Sequence, residues 1–289
     1  MKRKILTSLF AAAAVSLSAS AMANPTISNL DGSLVPFGGF DWASNGTGIS
    51  KPVTAALNVG DTFTTYYFAT AEAIKQAGGG TFSGLNMVTG GPGTTFADGQ
   101  YEYTAVFEVQ ERVYDVFTAS NGSTTAFFEA LGGTWNIYYD GAFAGGGAVA
   151  NQITGTGFTD GILVLSGTIT PGDVGSFTAA ASGLSGTGNF NFEGEVTNTN
   201  ETYIQPDMAS SNGFSTLQLG GNITTDWTAP TGTPWGAGLL TDSLVFQADG
   251  NQTFVPETTD IPEPGILALL GLGMFGLFAT TRRRNNQLV

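Results

Sequence analysis

Carboxylates are the reactive groups that this chain has in quantity: 23 Asp and Glu, against no His and no Cys in 289 residues. Glu193 and Glu195 are two apart, so on a strand both carboxylates point to one side, and Glu102 and Glu108 share a face in the same way. Carboxylates about 5 to 9 Å apart can hydrolyse glycosidic bonds. That chemistry needs one carboxyl kept protonated by an apolar pocket. In so acidic a chain, the commoner state of such a pair is a solvated face. Asp249-x-Asn251, and Asp226 beside Trp227, offer oxygen atoms to calcium or to a sugar, but no EF-hand loop or acidic nonapeptide repeat accompanies them. Trp42, Trp135, Trp227 and Trp235 could stack on sugar rings, although burial in a core is the usual fate of such residues.

The missing residue types exclude whole classes of chemistry. Without Cys there are no disulfides, thiol nucleophiles or Cys zinc sites. Without His there is no Ser-His-Asp or Cys-His triad and no ordinary general base near neutral pH. Zinc and copper are disfavoured, whereas calcium, which takes oxygen ligands, remains open to this residue set. Gly271-x-Gly273-x-x-Gly276 has the spacing of a dinucleotide fingerprint, but it lies inside an apolar run with no strand before it. Neither Lys51 nor Lys75 follows a phosphate-loop glycine pattern. Sequons such as those at Asn45 and Asn222 are expected by chance in a chain so rich in Asn and Thr. The expectation is a protein that is not an enzyme and has no cofactor.

Both ends of the chain are address labels. Lys2, Arg3 and Lys4 precede an apolar run from Ile5 to Leu17, and Ala21-Met22-Ala23 supplies a small-x-small cleavage pattern. This describes a signal peptide removed by signal peptidase, with Ala21 and Ala23 before the cut and Asn24 as the new N-terminus. At the other end Pro262-Glu263-Pro264 leads into an apolar run that closes on Arg282, Arg283 and Arg284. The 18 residues from Pro264 to Thr281 carry no formal charge. As a helix they span roughly 27 Å, enough for a hydrocarbon core. The arginines stop transfer and stay cytoplasmic, which leaves the Pro-Glu-Pro stretch extended just outside the membrane. Between Asn24 and Pro264 stand three basic residues, Lys51, Lys75 and Arg112, against all 23 acids, a net charge of −20. Such a body is repelled by nucleic acid and by anionic lipid.

The body positions its residues on strands. Gln100 to Ala119 is the strongest case, with Tyr101, Tyr103, Ala105, Phe107 and Val109 alternating with polar neighbours, one face core and one face wet. Glu111-Arg112 interrupts that alternation. Asp61 to Ala71, Thr125 to Leu131, Thr134 to Tyr139, Gly161 to Thr170, Ser176 to Ala181, Asn189 to Thr197, Phe214 to Thr225 and Ser243 to Ala248 also read as strands. Gly132-Gly133 suits a hairpin turn between two of them, as do Asp31-Gly32, Asn45-Gly46 and Asn121-Gly122 elsewhere. Thr70 to Ala77 is the one stretch that suits a short helix. The predicted fold is all-β, a single antiparallel β-sandwich or jelly-roll-like domain with a C-terminal transmembrane sorting helix. The predicted order is signal peptide 1–23, β domain 24–254, Pro-rich acidic linker 255–261 and sorting tail 262–289.

The tail resembles the PEP-CTERM sorting domain of exported bacterial proteins: Pro262-Glu263-Pro264, one apolar helix, then Arg282 to Arg284. Ile261 stands where members of that family usually carry Val. The resemblance covers about a tenth of the chain, and the body itself resembles no recognised family. It implies recognition by an exosortase, a membrane cysteine transpeptidase that removes the tail and passes the body to the cell surface or exopolysaccharide matrix of a Gram-negative bacterium. It further implies a structural or adhesive role in biofilm or floc formation, with exopolysaccharide as a partner. The alternatives are an extracellular carbohydrate-binding module and a glycoside hydrolase that uses a carboxylate pair.

Overall fold

The computed structural model describes residues 25–255, apart from 54–56, 78, 89–94, 143–146, 183–184, 210–213 and 225. All of them fall in one compact unit, Asn24–Glu257. The signal peptide, including Ala21, Ala23 and Asn24, lies outside the described residues, as does the tail with Pro262 to Pro264 and Arg282 to Arg284.

The strands are β1 (Thr26–Ser28), β2 (Leu34–Pro36), β3 (Gly39–Lys51), β4 (Thr62–Lys75), β5 (Tyr101–Thr118), β6 (Thr124–Gly141), β7 (Ile162–Ile169), β8 (Val174–Ala179), β9 (Gly186–Thr199), β10 (Ile204–Gln205), β11 (Phe214–Ile223) and β12 (Leu244–Val255). All strand pairings are antiparallel. The large sheet runs β11-β12-β3-β4-β5-β6-β7-β9, and β9 pairs back onto β11. That last pairing closes the sheet into a ring. β8 prolongs β7, since both pair with β6 on one side and with β9 on the other.

The antiparallel all-β expectation therefore holds, but the two facing sheets of a sandwich or jelly roll are replaced by an up-and-down barrel of eight positions. The reason lies in the connections: around the ring, each strand stands beside its neighbours in sequence. Closure gives β9 and β11 a partner on both sides and leaves no open edge in the ring.

The period-two pattern of β5 decides what is inside. Tyr101, Tyr103, Ala105, Phe107 and Val109 are buried in the lumen. They meet Phe40, Trp42, Tyr67, Trp135, Tyr139, Leu217 and Phe254 from the other strands. The opposite side of β5 is not wet along its first half, because Glu102, Thr104 and Val106 are also buried. Segment 147–161 and the 3-10 turn Ala237–Leu240 cover the outer wall there, with Phe158 edge-on to Phe68 at 4.9 Å and Trp235 edge-on to Tyr66 at 5.0 Å. Thr104 Oγ1 donates to the Phe158 carbonyl at 2.8 Å, which fastens that cover.

Three local expectations change. Gly132-Gly133 is not a turn, because β6 runs straight through it. The register against β5 slips there, with Gln110 opposite Gly132 and Glu111 opposite Ala130, so the glycines mark a bulge that bends a long strand. A Cβ on Gly133 would stand 2.2 Å from the Glu108 carbonyl oxygen, so that close approach requires glycine. Asn45-Gly46 lies within a register irregularity inside β3 and does not form a hairpin. Thr70 to Lys75 is strand, because pairing with β5 at Thr70 and with β3 from Ala71 to Lys75 outweighs the helix preference of its alanines. Asp31-Gly32 and Asn121-Gly122 do turn the chain, and each Asp or Asn side chain accepts the N–H of the serine two residues on, at 2.9 and 3.0 Å.

Candidate functional site

On the outer wall, the register of β9, β11, β12 and β3 sets side chains from distant parts of the chain in one row: Asn191 opposite Gln218, Gln218 opposite Asn251, and Asn251 opposite Asp41. Neighbouring strands stand about 4.8 Å apart, so the row is a regular polar ladder. Beside it runs Asn189–Gly220–Asp249. Gly220 contributes no side chain, and a shallow groove of about 480 Å³ opens over the two rows. Asn189, Asn191, Gln218, Asp249 and Asn251 are exposed and Asp41 is half-buried. Each amide both donates and accepts, which suits hydroxyl-rich ligands. Lys75 Nζ donates to Asn251 Oδ1, and to Thr253 Oγ1 at 3.0 Å, so a cation borders the row. Partial burial, and then the charge of Asp41, push the Asp249 carboxyl up.

The residues singled out in the sequence are dispersed. Glu193 and Glu195 are exposed on the outer wall, without the apolar enclosure that raises a catalytic acid. Trp42 and Trp135 are 1% exposed inside the lumen, Trp42 with its Nε1 donating to Gln252 Oε1 at 3.2 Å. Trp235 is half-buried in the outer cover and Trp227 half-buried in the preceding loop. None of the four lines the polar groove. Asp249 and Asn251 do line it; Asp226 does not. Among the described residues, no group of three metal-ligating side chains is placed to hold an ion.

Sequence reasoning did not find Asp41, Asn189, Asn191 and Gln218 as a set. Alternation puts Asn189 and Asn191 on the polar face of β9, but their partners are decided by inter-strand register, which one sequence does not print.

Among the described residues three carboxylates are buried, Glu102, Glu111 and Asp140. Glu102 accepts from the Ala150 N–H at 2.8 Å and lies directly opposite Asp140 on β6. Asp140 accepts from the N–H groups of Gly141 at 2.7 Å and Gly147 at 3.3 Å, and Asp160 from that of Ala148 at 3.0 Å. Acidic side chains and backbone amides thereby pin segment 147–161 to the barrel. Burial, and after it the charges of Asp140 and Asp160, push the Glu102 carboxyl up to about 8. Glu111 points into the lumen, accepts from Thr65 Oγ1, and is likewise raised by burial to about 8.

Compared with known proteins, residues 260–284 match the family model described as the PEP-CTERM protein-sorting motif. No curated protein and no solved structure matches the chain.

Proposed function

Because the chain carries a PEP-CTERM protein-sorting motif, which marks an exported protein processed by an exosortase and anchored transiently in the membrane before surface display, we propose that the barrel is a non-enzymatic matrix protein that holds extracellular polysaccharide along its outer wall. The polar row Asn191–Gln218–Asn251–Asp41 carries this reading. It offers donors and acceptors at regular spacing, on a rigid closed sheet, to a polymer that repeats its hydroxyls. The acidic body and the scarcity of lysine favour solubility in a crowded matrix. Adhesion in a biofilm or floc follows when one polymer binds many barrels and each barrel stays bound to its neighbours' polymer.

The test is co-sedimentation of the secreted protein with the exopolysaccharide of its own host. Gln218→Ala with Asn251→Ala should weaken binding roughly tenfold or more, the cost of losing two net hydrogen bonds. Unchanged binding by a folded double variant would refute the role of this wall. A second pair, Glu193→Gln with Glu195→Gln, separates binding from hydrolysis. Polymer that shortens with the wild type and not with this pair would favour the glycosidase instead.

A further inference from the structure

The two ends of the barrel are built differently. At the end where β12 finishes, the lumen is plugged by β1, β2 and β10. Ile27, Val35 and Ile204 are buried there beside Tyr101, Tyr103 and Tyr139, and Tyr103 OH donates to Asn29 Oδ1 at 2.7 Å. The middle is filled by Trp42, Tyr67, Phe107 and Trp135. At the opposite end, where β3, β5, β8 and β11 finish, a cavity of about 480 Å³ opens among the strand ends. That volume is in the range of small-molecule sites, and the mouth of a β-barrel is a place where such sites recur.

The cavity exists because the phenylalanines at this end lie back against glycines. A Cβ on Gly48 would stand 2.1 Å from the Phe246 ring, one on Gly175 2.4 Å from the Phe128 ring, and one on Gly186 2.6 Å from the Phe177 ring. Each ring covers the bare backbone of a neighbouring strand, and Phe177 and Phe190 meet Phe246 at 5.9 and 5.8 Å. Alanines at Ala126 and Ala179 keep the space clear.

Among the described residues, the lining has no charged side chain. The three cations of the body are engaged elsewhere: Lys51 Nζ donates to the Gly238 carbonyl at 2.7 Å, Lys75 to Asn251 and Thr253, and Arg112 pairs with Glu129. An anionic head group would therefore enter without a partner, which is costly. Apart from Thr124 near the rim, Ser50 is the polar side chain of the lining. Its Oγ shares a hydrogen bond of 2.9 Å with Thr65 Oγ1, which donates in turn to Glu111. Whichever hydroxyl donates in the Ser50–Thr65 bond, the Ser50 oxygen keeps a lone pair free to accept.

We propose that this open end is a binding site for an uncharged, largely hydrocarbon molecule, such as a long-chain alcohol, whose single hydroxyl donates to Ser50 while its chain lies among Phe63, Phe128, Phe177, Phe190 and Phe246. The site is independent of the polar wall and of the reading given to that wall.

The test is fluorescence titration of the full chain, without detergent, with N-phenylnaphthylamine, an uncharged apolar probe. Saturable binding of one probe per chain is expected, with dodecanol displacing it and dodecanoate doing so at least roughly tenfold less well. Ala126→Phe and, separately, Ala179→Phe fill the cavity and should each weaken binding roughly tenfold while the melting temperature holds or rises. Ser50→Ala should weaken dodecanol and leave the probe alone. Absence of saturable binding, equal competition by dodecanoate, or unchanged binding in both filled variants would overturn the proposal. Probe held by the apolar tail is unaffected by the filling substitutions, so it falls under the last of these outcomes.

Discussion

A carboxyl buried away from any cation keeps its proton, and Glu102 and Glu111 are the two residues where this matters most. Both are held near 8 by burial, against about 4.5 for an exposed glutamate. Between those values the folded chain carries protons that the unfolded chain has released. Stability attributable to these groups is fully present below about 4.5 and is lost as pH rises toward 8, at up to roughly 1.4 kcal/mol per pH unit for each group. Asp140, Asp173 and Asp249 are raised as well and act in the same direction. The melting temperature should therefore be higher at pH 5 than at pH 8.5. Glu111→Gln supplies a neutral side chain of the same size, so it should flatten the slope and make the variant more stable than wild type at pH 8.5. A wild-type melting temperature that climbs from pH 5 to 8.5 would contradict this assignment.

At the scale of elements, glycine does the shaping. Gly133→Ala places a Cβ 2.2 Å from the Glu108 carbonyl oxygen, a backbone atom, so β5 and β6 must part. A loss of about 1–3 kcal/mol is expected from the denaturant midpoint. Gly220→Ala meets nothing closer than 4.0 Å and should stay within about 0.5 kcal/mol. Equal effects at the two sites would mean that the bulge at Gly132-Gly133 is not under steric constraint. The same glycines explain what could be read from the chain and what could not. The alternation from Tyr101 to Val109 was legible because a half-buried strand repeats every two residues. The turns at Asp31-Gly32 and Asn121-Gly122 were legible because their chemistry is local. Gly132-Gly133 has the composition of a turn and the job of a bulge, and only the partner strand distinguishes the two. Asn191, Gln218, Asn251 and Asp41 form a row through pairings between strands far apart in sequence. The lumen at the open end was hidden for the same reason, since each ring and the glycine beneath it come from different strands.

The whole molecule divides its work. A closed barrel of sequential strands exposes an acidic, amide-bearing wall, plugs one end with β1, β2 and β10, and leaves an apolar mouth at the other. Its PEP-CTERM motif decides where that barrel is delivered, and delivery is the central claim. The most direct measurement is the intact mass of the protein recovered from the extracellular matrix, beside that of a variant lacking Pro262 to Val289. The account predicts a matrix form that begins at Asn24 and has lost the apolar run and Arg282 to Arg284, and a truncated variant that no longer reaches the matrix. A matrix form whose mass runs through to Val289, or a truncated variant distributed like the wild type, would contradict it.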